Sequence, residues 1–229
     1  MKPLFDLNNA SVQFDSVAAL LDCSLHIQTG ERVAVIGSNG SGKSTLLRVL
    51  HGLIKPDTGS LGVDPSATQA MLFQRPYMLR ASVVHNLALG LWLRGAPWGA
   101  AKAQGLQALE KTGLAALATR NAKTLSIGQQ QRLAMARAWA LAPQVMLLDE
   151  PTASLDPAAK HEVERLMAEF AGGGMTLIFS SHNLGQVKRL ASRVVYLEAG
   201  KIVADVPTHY FFNGPLPLAA ANFLKGELG

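Results

Sequence analysis

The sequence predicts an α/β chain: a core of buried parallel strands, entered through antiparallel strands and interrupted by a helical lobe. Three observations predict it. The first is Gly37-Ser38-Asn39-Gly40-Ser41-Gly42-Lys43-Ser44, a glycine-rich loop between a β-branched apolar run, Arg32 to Ile36, and a stretch of helical spacing, Thr45 to Leu50. The second is another apolar run, Val145 to Leu148, that ends on two adjacent carboxylates, Asp149 and Glu150. The third is the block between them, residues 82–140, rich in Ala, Leu and Gln and helical in pattern.

Taken in order, the N-terminal segments around Phe5, Val12 to Phe14, Leu20 to Ile27 and Val33 to Ile36 alternate or run apolar. Turn signals at Asn8-Asn9 and Thr29-Gly30 separate some of them, which predicts antiparallel strands leading into the strand before the loop. Phe14 lies here. An aromatic at this place can stack on an adenine ring, but a Phe at an alternating position also reads as core.

The loop fits the P-loop pattern G-x-x-x-x-G-K-[ST], with a strand before it and a helix after it. Glycines at 37, 40 and 42 let successive backbone N–H groups point inward at a polyphosphate, and the helix adds its positive N-terminal end. Ser38, Asn39, Ser41 and Thr45 complete the cradle. Lys43 reaches the β- and γ-phosphates, and the Ser44 hydroxyl holds Mg²⁺.

Beyond the loop's helix, Lys55 to Ser60 is a turn, and Ala70 to Phe73 is a strand ending in Gln74. A polar amide at the carboxyl end of a buried strand is where α/β folds place ligand groups. Arg75 to Arg80 is apolar and irregular, which suits docking against another surface. Gly95 to Gly99 reads as a loop inside the helical lobe. Toward the end of that lobe, Leu125-Ser126-Ile127-Gly128-Gln129 precedes a strong helix, Gln130 to Leu141. Its free N–H groups and the Ser126 hydroxyl can face an anion, although alone the pattern is an N-capped helix start.

The run to Asp149-Glu150 brings Asp149 to the mouth of the P-loop, where it can hold Mg²⁺, and places Glu150 to activate a water. Pro151-Thr152 and Ser154 to Pro157 follow as a turn. Thr176 to Phe179 is a further buried strand, ending in Ser180-Ser181-His182. An imidazole there can hydrogen-bond a γ-phosphate, but a lone His is more often structural. Val194 to Ala204 makes a hairpin, and the tail from Pro207 is too short for another domain.

The bulk numbers narrow the choice. Only 16% of the 229 residues are charged, against roughly 25% in soluble domains, which fits either a surface covered by a partner or a well-filled core. A net charge of +5 and a pI near 9.5 suit a nucleotide or an anionic membrane surface. No Lys/Arg block suits a nucleic-acid arm, so no nucleic-acid partner is expected. Cys23 is the only cysteine, which excludes an internal disulfide and fits a reducing cytosol. The start at Met1 lacks the apolar stretch of a secretory signal, and no run approaches the ~18 apolar residues that span a bilayer.

With the P-loop, Gln74, the Leu125–Gln129 segment, Asp149-Glu150, Ser154-Leu155-Asp156 and His182 in this order, the chain resembles the nucleotide-binding subunit of an ABC transporter over nearly its whole length. The resemblance implies one ABC ATPase domain over 1–229: a RecA-like core and antiparallel β-subdomain at about 1–81 and 141–229, with the helical subdomain inserted at about 82–140. It implies ATP and Mg²⁺ as ligands, Phe14 as the adenine-stacking aromatic and Gln74 as the Q-loop glutamine at the metal. Glu150 is then the catalytic base, Asp156 the D-loop aspartate and His182 the switch histidine. Ser126, Gly128 and Gln129 become signature residues that complete the ATP site of a second copy. Ile127 departs from the usual Leu-Ser-Gly-Gly-Gln, and would strain the loop if positive φ were needed there.

The implied partners are a second copy, separate membrane permease subunits and, indirectly, a periplasmic or extracellular solute-binding protein, at the cytoplasmic face of the cell membrane. Residues 75–92 are the expected permease surface, with ordinary packing between lobes as the bland alternative. The C-terminal runs Ser181–Ala191 and Pro207–Asn213 are similar to oxyanion importers, tungstate types above all, with molybdate and phosphate as relatives. Rivals are an exporter ATPase and a soluble ABC ATPase; against the latter, the chain shows one cassette and no sustained heptads between P-loop and signature. A P-loop kinase has no place for the signature segment.

Overall fold

The computed structural model describes residues 3–228. Strands β1 (Phe5–Phe14) and β2 (Val17–Ile27) form an antiparallel hairpin, and β4 (Thr58–Val63) pairs with the other edge of β1. The Asn8-Asn9 turn signal is a bulge instead: Asn9 takes φ 47 and the register slips between Leu7 and Ala10 while the strand continues. The true reversal is at Asp15, with φ 48. Lys55 to Asp57 turns as expected, but Thr58 already starts a strand that the turn residues Gly59 and Ser60 concealed.

A second sheet has the order β5-β6-β7-β3-β8-β9, from β3 (Arg32–Ile36), β5 (Gln69–Leu72), β6 (Val145–Leu148), β7 (Thr176–Ser180), β8 (Arg193–Glu198) and β9 (Lys201–Pro207). All its pairings are parallel except the β8–β9 hairpin. Near-continuous apolar runs are what a sheet buried on both faces requires. Alternate residues feed two cores. Val33, Val35, Val145, Leu147 and Ile178 pack with the N-terminal sheet and with α1 (Lys43–His51). Ala34, Ile36, Met146, Leu148 and Phe179 face the other helices.

Those helices are α2 (Val83–Leu93), α3 (Trp98–Lys111), α4 (Ile127–Ala140), α5 (Pro157–Gly172), α6 (Leu184–Leu190), α7 (Thr208–Asn213) and α8 (Leu218–Leu228). The loop expected at Gly95–Gly99 is shorter, since Trp98 already begins α3. Helix α5 follows directly on the Ser154–Asp156 turn: the Asp156 carboxylate caps it and Pro157 opens it. Among the described residues no helix is long and apolar enough to cross a membrane.

Because β5, β6, β7 and β3 are parallel and adjacent, their carboxyl ends lie side by side. That edge carries Gln74, Asp149-Glu150, Ser180 to His182 and the Gly37–Ser44 loop, and the site forms there.

Candidate active site

Two glycines of the loop are forced by close approach. At Gly37 (φ 148) a Cβ would lie 2.2 Å from the Leu197 carbonyl oxygen, and at Gly42 (φ 106) 2.4 Å from that of Ala19. At Gly40 (φ 78) the space beyond is open, so its backbone alone decides the residue. The Ser41 hydroxyl is buried in the loop without a hydrogen-bond partner among the described residues, as a group meant for an anion would be. Lys43 Nζ donates to the carbonyls of Gly37 (2.8 Å) and Ser38 (2.9 Å). Burial lowers its pKa, and the nearby Glu150 and Asp149 oppose that shift.

The carboxylates occupy distinct niches. Asp149 is 3% exposed, and its Oδ1 accepts from Ser44 Oγ (2.9 Å) and Ser180 Oγ (2.8 Å). Ser180 Oγ also accepts from the Glu150 N–H at 2.8 Å. One hydroxyl at the end of β7 therefore fixes both acids at the end of β6. Sequence reasoning gave Ser180 no role. Its only signal was a hydroxyl closing a buried apolar strand, and the parallel β6–β7 register makes it meaningful.

Glu150 sits at φ 46, a left-handed conformation rare for a non-glycine residue, which turns its side chain out of the strand line. Gln74 Nε2 donates to Glu150 Oε2 (2.9 Å), and His182 Nε2 lies 2.5 Å from Glu150 Oε1. His182 is thus tied to the acid and does not float as a lone imidazole. Behind it lies a second group missed in the sequence. Gln186 is fully buried, its Oε1 accepting from Ser181 Oγ at 2.7 Å and its Nε2 donating to Thr152 Oγ1 at 3.1 Å, which locks the turn after β6 to the start of α6.

The Leu125–Gln129 segment lies elsewhere. Ser126 is the N-cap of α4, in a full capping box: its Oγ accepts from the Gln129 N–H (3.3 Å) and Gln129 Oε1 accepts from the Ser126 N–H (3.0 Å). The helix begins at Ile127, three residues before the expected Gln130, which removes the concern about strain. Ile127 is the first helical residue, absent from the positive-φ positions and 64% exposed. Gly128 presses on α5, where a Cβ would come within 2.6 Å of the Ala159 Cβ. Asp156 Oδ1 accepts from the Ala159 N–H at 2.9 Å. The N-terminal ends of α4 and α5 thus open onto one shallow hollow, lined also by Arg132 and His161 and by no residue of the P-loop.

Phe14 ends β1 opposite Val17, and both are exposed, so the core reading of Phe14 fails. The hairpin continues into Ala19, whose carbonyl oxygen approaches Gly42 and Gly200. Past Gln74 an apolar groove runs between Phe73, Tyr77, α2 and α4. The irregular stretch 75–82 beside it is held by the buried Asn86, which accepts from the Leu79 N–H and donates to the carbonyls of Leu79, Ala81 and Ser82. Arg137 Nη1 donates to the Tyr77 carbonyl at 2.7 Å, and burial lowers its pKa.

This arrangement is that of a phosphate-binding ATPase cassette, and the comparisons agree. The family model described as ABC transporter matches residues 20–153. The chain is 37% identical to the glutamate/aspartate import ATP-binding protein of Escherichia coli, covering 96% of this chain and 98% of that one. It is 38% identical to the nickel import ATP-binding protein of Rhodobacter capsulatus (99% and 98%) and 35% identical to a phosphate import ATP-binding protein of Natronomonas pharaonis (94% and 84%). A dimeric structure of the ATP-binding cassette MJ0796 in a post-hydrolysis state, bound to ADP and Pi, superposes with a TM-score of 0.81 at 27% identity over 89% of this chain and 98% of that one. The chain belongs to the ABC transporter family and has the ABC ATPase fold. It is an ATP-binding subunit of the importer type.

Proposed function

We propose that the chain works as one of two identical copies that close on ATP, with the P-loop of each facing the Ser126 cap of the other. The observation that carries this reading is the separation just described: phosphate cradle and acids on one edge, two open helix N-termini on another, with no shared wall. The P-loop surrounds one side of a triphosphate, and the capped turn supplies what the other side lacks. The relative that is dimeric with ADP and Pi bound supports a two-copy form.

Within one copy, Gly37 to Thr45 hold the phosphates, with Lys43 at the β- and γ-groups and Phe14 against the base. Ser44 and Asp149 would form the hard-oxygen pair for Mg²⁺, and Gln74 would offer its Oε1 to the same ion while its Nε2 steadies Glu150. Bound Mg²⁺ supplies charge neutralisation on the phosphates. Glu150 takes the proton from the attacking water, and His182 and Gln74 orient its carboxylate. Ser126, Gly128, Gln129 and Asp156 face the nucleotide of the second copy. The boundaries drawn at 82 and 140 separate a helical unit from the rest.

The apolar groove between Tyr77, α2 and α4 receives a separate membrane permease, which places the chain at the cytoplasmic face of the membrane with a solute-binding protein across it. The cargo we favour is tungstate or a related oxyanion, from the C-terminal runs Ser181–Ala191 and Pro207–Asn213, and the phosphate-importing relative supports that class. Amino-acid import is the second reading, favoured by the glutamate/aspartate relative. The test is Glu150→Gln with ATP and Mg²⁺ on a sizing column. A stable nucleotide-bound dimer is expected, and a chain that stays monomeric removes the closure. Co-purified permease and the ligand of its binding protein identify the cargo.

A further inference from the structure

Charge is unevenly shared along this chain. Between residues 65 and 148 there are nine Lys and Arg side chains and one acid, Glu110, while the remaining 145 residues carry 12 basic and 15 acidic ones. Among the described residues, only Lys111 of those nine is in an ion pair, with Glu169. Seven of the nine and the one acid lie in the helical unit, 82–140, which is therefore strongly positive, a difference that the overall net charge of +5 conceals.

At one corner of this unit the charge meets exposed aromatic surface. The end of α2 presents Trp92 (50% exposed) and Leu93 (70%), and the start of α3 presents Trp98 (42%). The two indoles meet edge to face with centroids 6.3 Å apart, and His85 backs Trp98 at 5.5 Å. Arg94 follows Leu93 directly, and Lys102 stands one turn after Trp98 on the same helix face. Leu93 also lines the apolar groove, so the corner continues from the proposed permease seat.

We infer that this α2–α3 corner contacts the anionic headgroup layer of a lipid bilayer, with Trp92, Leu93 and Trp98 at interface depth and Arg94 and Lys102 against lipid phosphates. Indole rings settle where an apolar body and a polar N–H are both satisfied, which is the headgroup level. Basic side chains beside them add attraction to a negative leaflet, and the unit holds a single acid to repel it. A purely proteinaceous partner has no need of an acid-poor body of this size around the aromatic pair. The contact holds whatever solute is carried and needs no nucleotide.

The experiment is flotation of the purified full chain with vesicles of phosphatidylcholine alone or mixed equally with phosphatidylglycerol. The chain is expected to float with the anionic vesicles only and to be released by high salt. Arg94→Glu with Lys102→Glu should weaken partitioning about thirtyfold, and Trp92→Ala with Trp98→Ala about tenfold. The milder pair Arg94→Gln with Lys102→Gln, with thermal melting and ATP binding as controls, separates lost contact from lost fold. In a Trp139→Phe background, fluorescence of the two remaining tryptophans should be quenched by brominated lipid. Equal binding to neutral vesicles, no binding to either kind, or full binding by both double variants would overturn the proposal. Variants that lose the permease while the parent ignores vesicles would assign the corner to protein instead. Dimer closure by Glu150→Gln is read without lipid, so failure here leaves that reading standing.

Discussion

The carboxyl edge of the parallel sheet and the N-terminal end of α4 both present a serine hydroxyl beside polar partners, but they use it differently. At the sheet edge, Ser44 and Ser180 converge on Asp149, Ser180 also takes the Glu150 N–H, and Glu150 is held by Gln74 and His182. Each group leans on another from a different strand. At α4 the Ser126 hydroxyl and the Gln129 amide satisfy only the local backbone, and the hollow beyond them is open. One region holds both acids by side chains from separate elements. The other is a sound helix start whose further use depends on what closes over it.

The comparison is broken most severely at Glu150. Glu150→Gln keeps the Gln74 and Ser180 contacts within reach but removes the base, so phosphate release should fall by about 10²–10⁴-fold while ATP binding persists. A fall below tenfold would move the base elsewhere. Next comes Ser126→Ala. If the hydroxyl serves the cap alone, the loss is about 1 kcal/mol of stability, with activity intact. The closure proposed above adds a fall in turnover of at least about tenfold, with single-copy ATP affinity unchanged, read by calorimetry beside the steady-state rate.

Ser180→Ala sharpens the other side. It leaves the Glu150 N–H unpaired and takes one donor from the Asp149 carboxylate, which should cost about 1–3 kcal/mol by denaturant unfolding and loosen Mg²⁺-dependent nucleotide binding. Ile127→Gly should do little: the site is the exposed first residue of a helix, so stability drops by at most about 1 kcal/mol, ATP affinity holds and turnover rises modestly. A large fall in turnover would show that the isoleucine contacts the second copy.

The smallest effect lies away from both regions, at His51 in the groove. Burial holds its pKa below the ordinary 6.5, and its Nδ1 has no hydrogen-bond partner among the described residues. The unfolded chain therefore takes up the proton first, so stability falls as pH drops below 6.5 and levels off below the folded-state value. Unfolding midpoints of the wild type and His51→Gln should separate as pH is lowered from ~7.5 to ~5.5, the variant losing less.

Much of this is legible in the sequence. The P-loop, Asp149-Glu150 and the helical block are local patterns, each fixed by spacing and residue type over a few turns or one strand. The misreadings were local as well. Asn8-Asn9 carries turn chemistry, but cross-strand pairing on both sides of β1 outweighs it and leaves a bulge. Gly59-Ser60 looks like a turn until β1 offers it an edge. Ser180 and Gln186 carry no local signal, because a buried hydroxyl or amide has no sequence period; its value lies in partners 30 or more residues away.

By itself, then, the sequence determined most of the strands and helices, the P-loop pattern between a strand and a helix, and the resemblance to ABC ATPases. The elements rest on short-range sterics and hydrophobic period, and the family resemblance on the order of the motifs. The tertiary structure alone decided that Glu150 is clasped between Gln74 and His182, that one serine steadies both acids, and that Ser126 lines a hollow shared with no residue of its own P-loop. Such facts depend on strand order and on helices meeting across the fold, which no local pattern encodes.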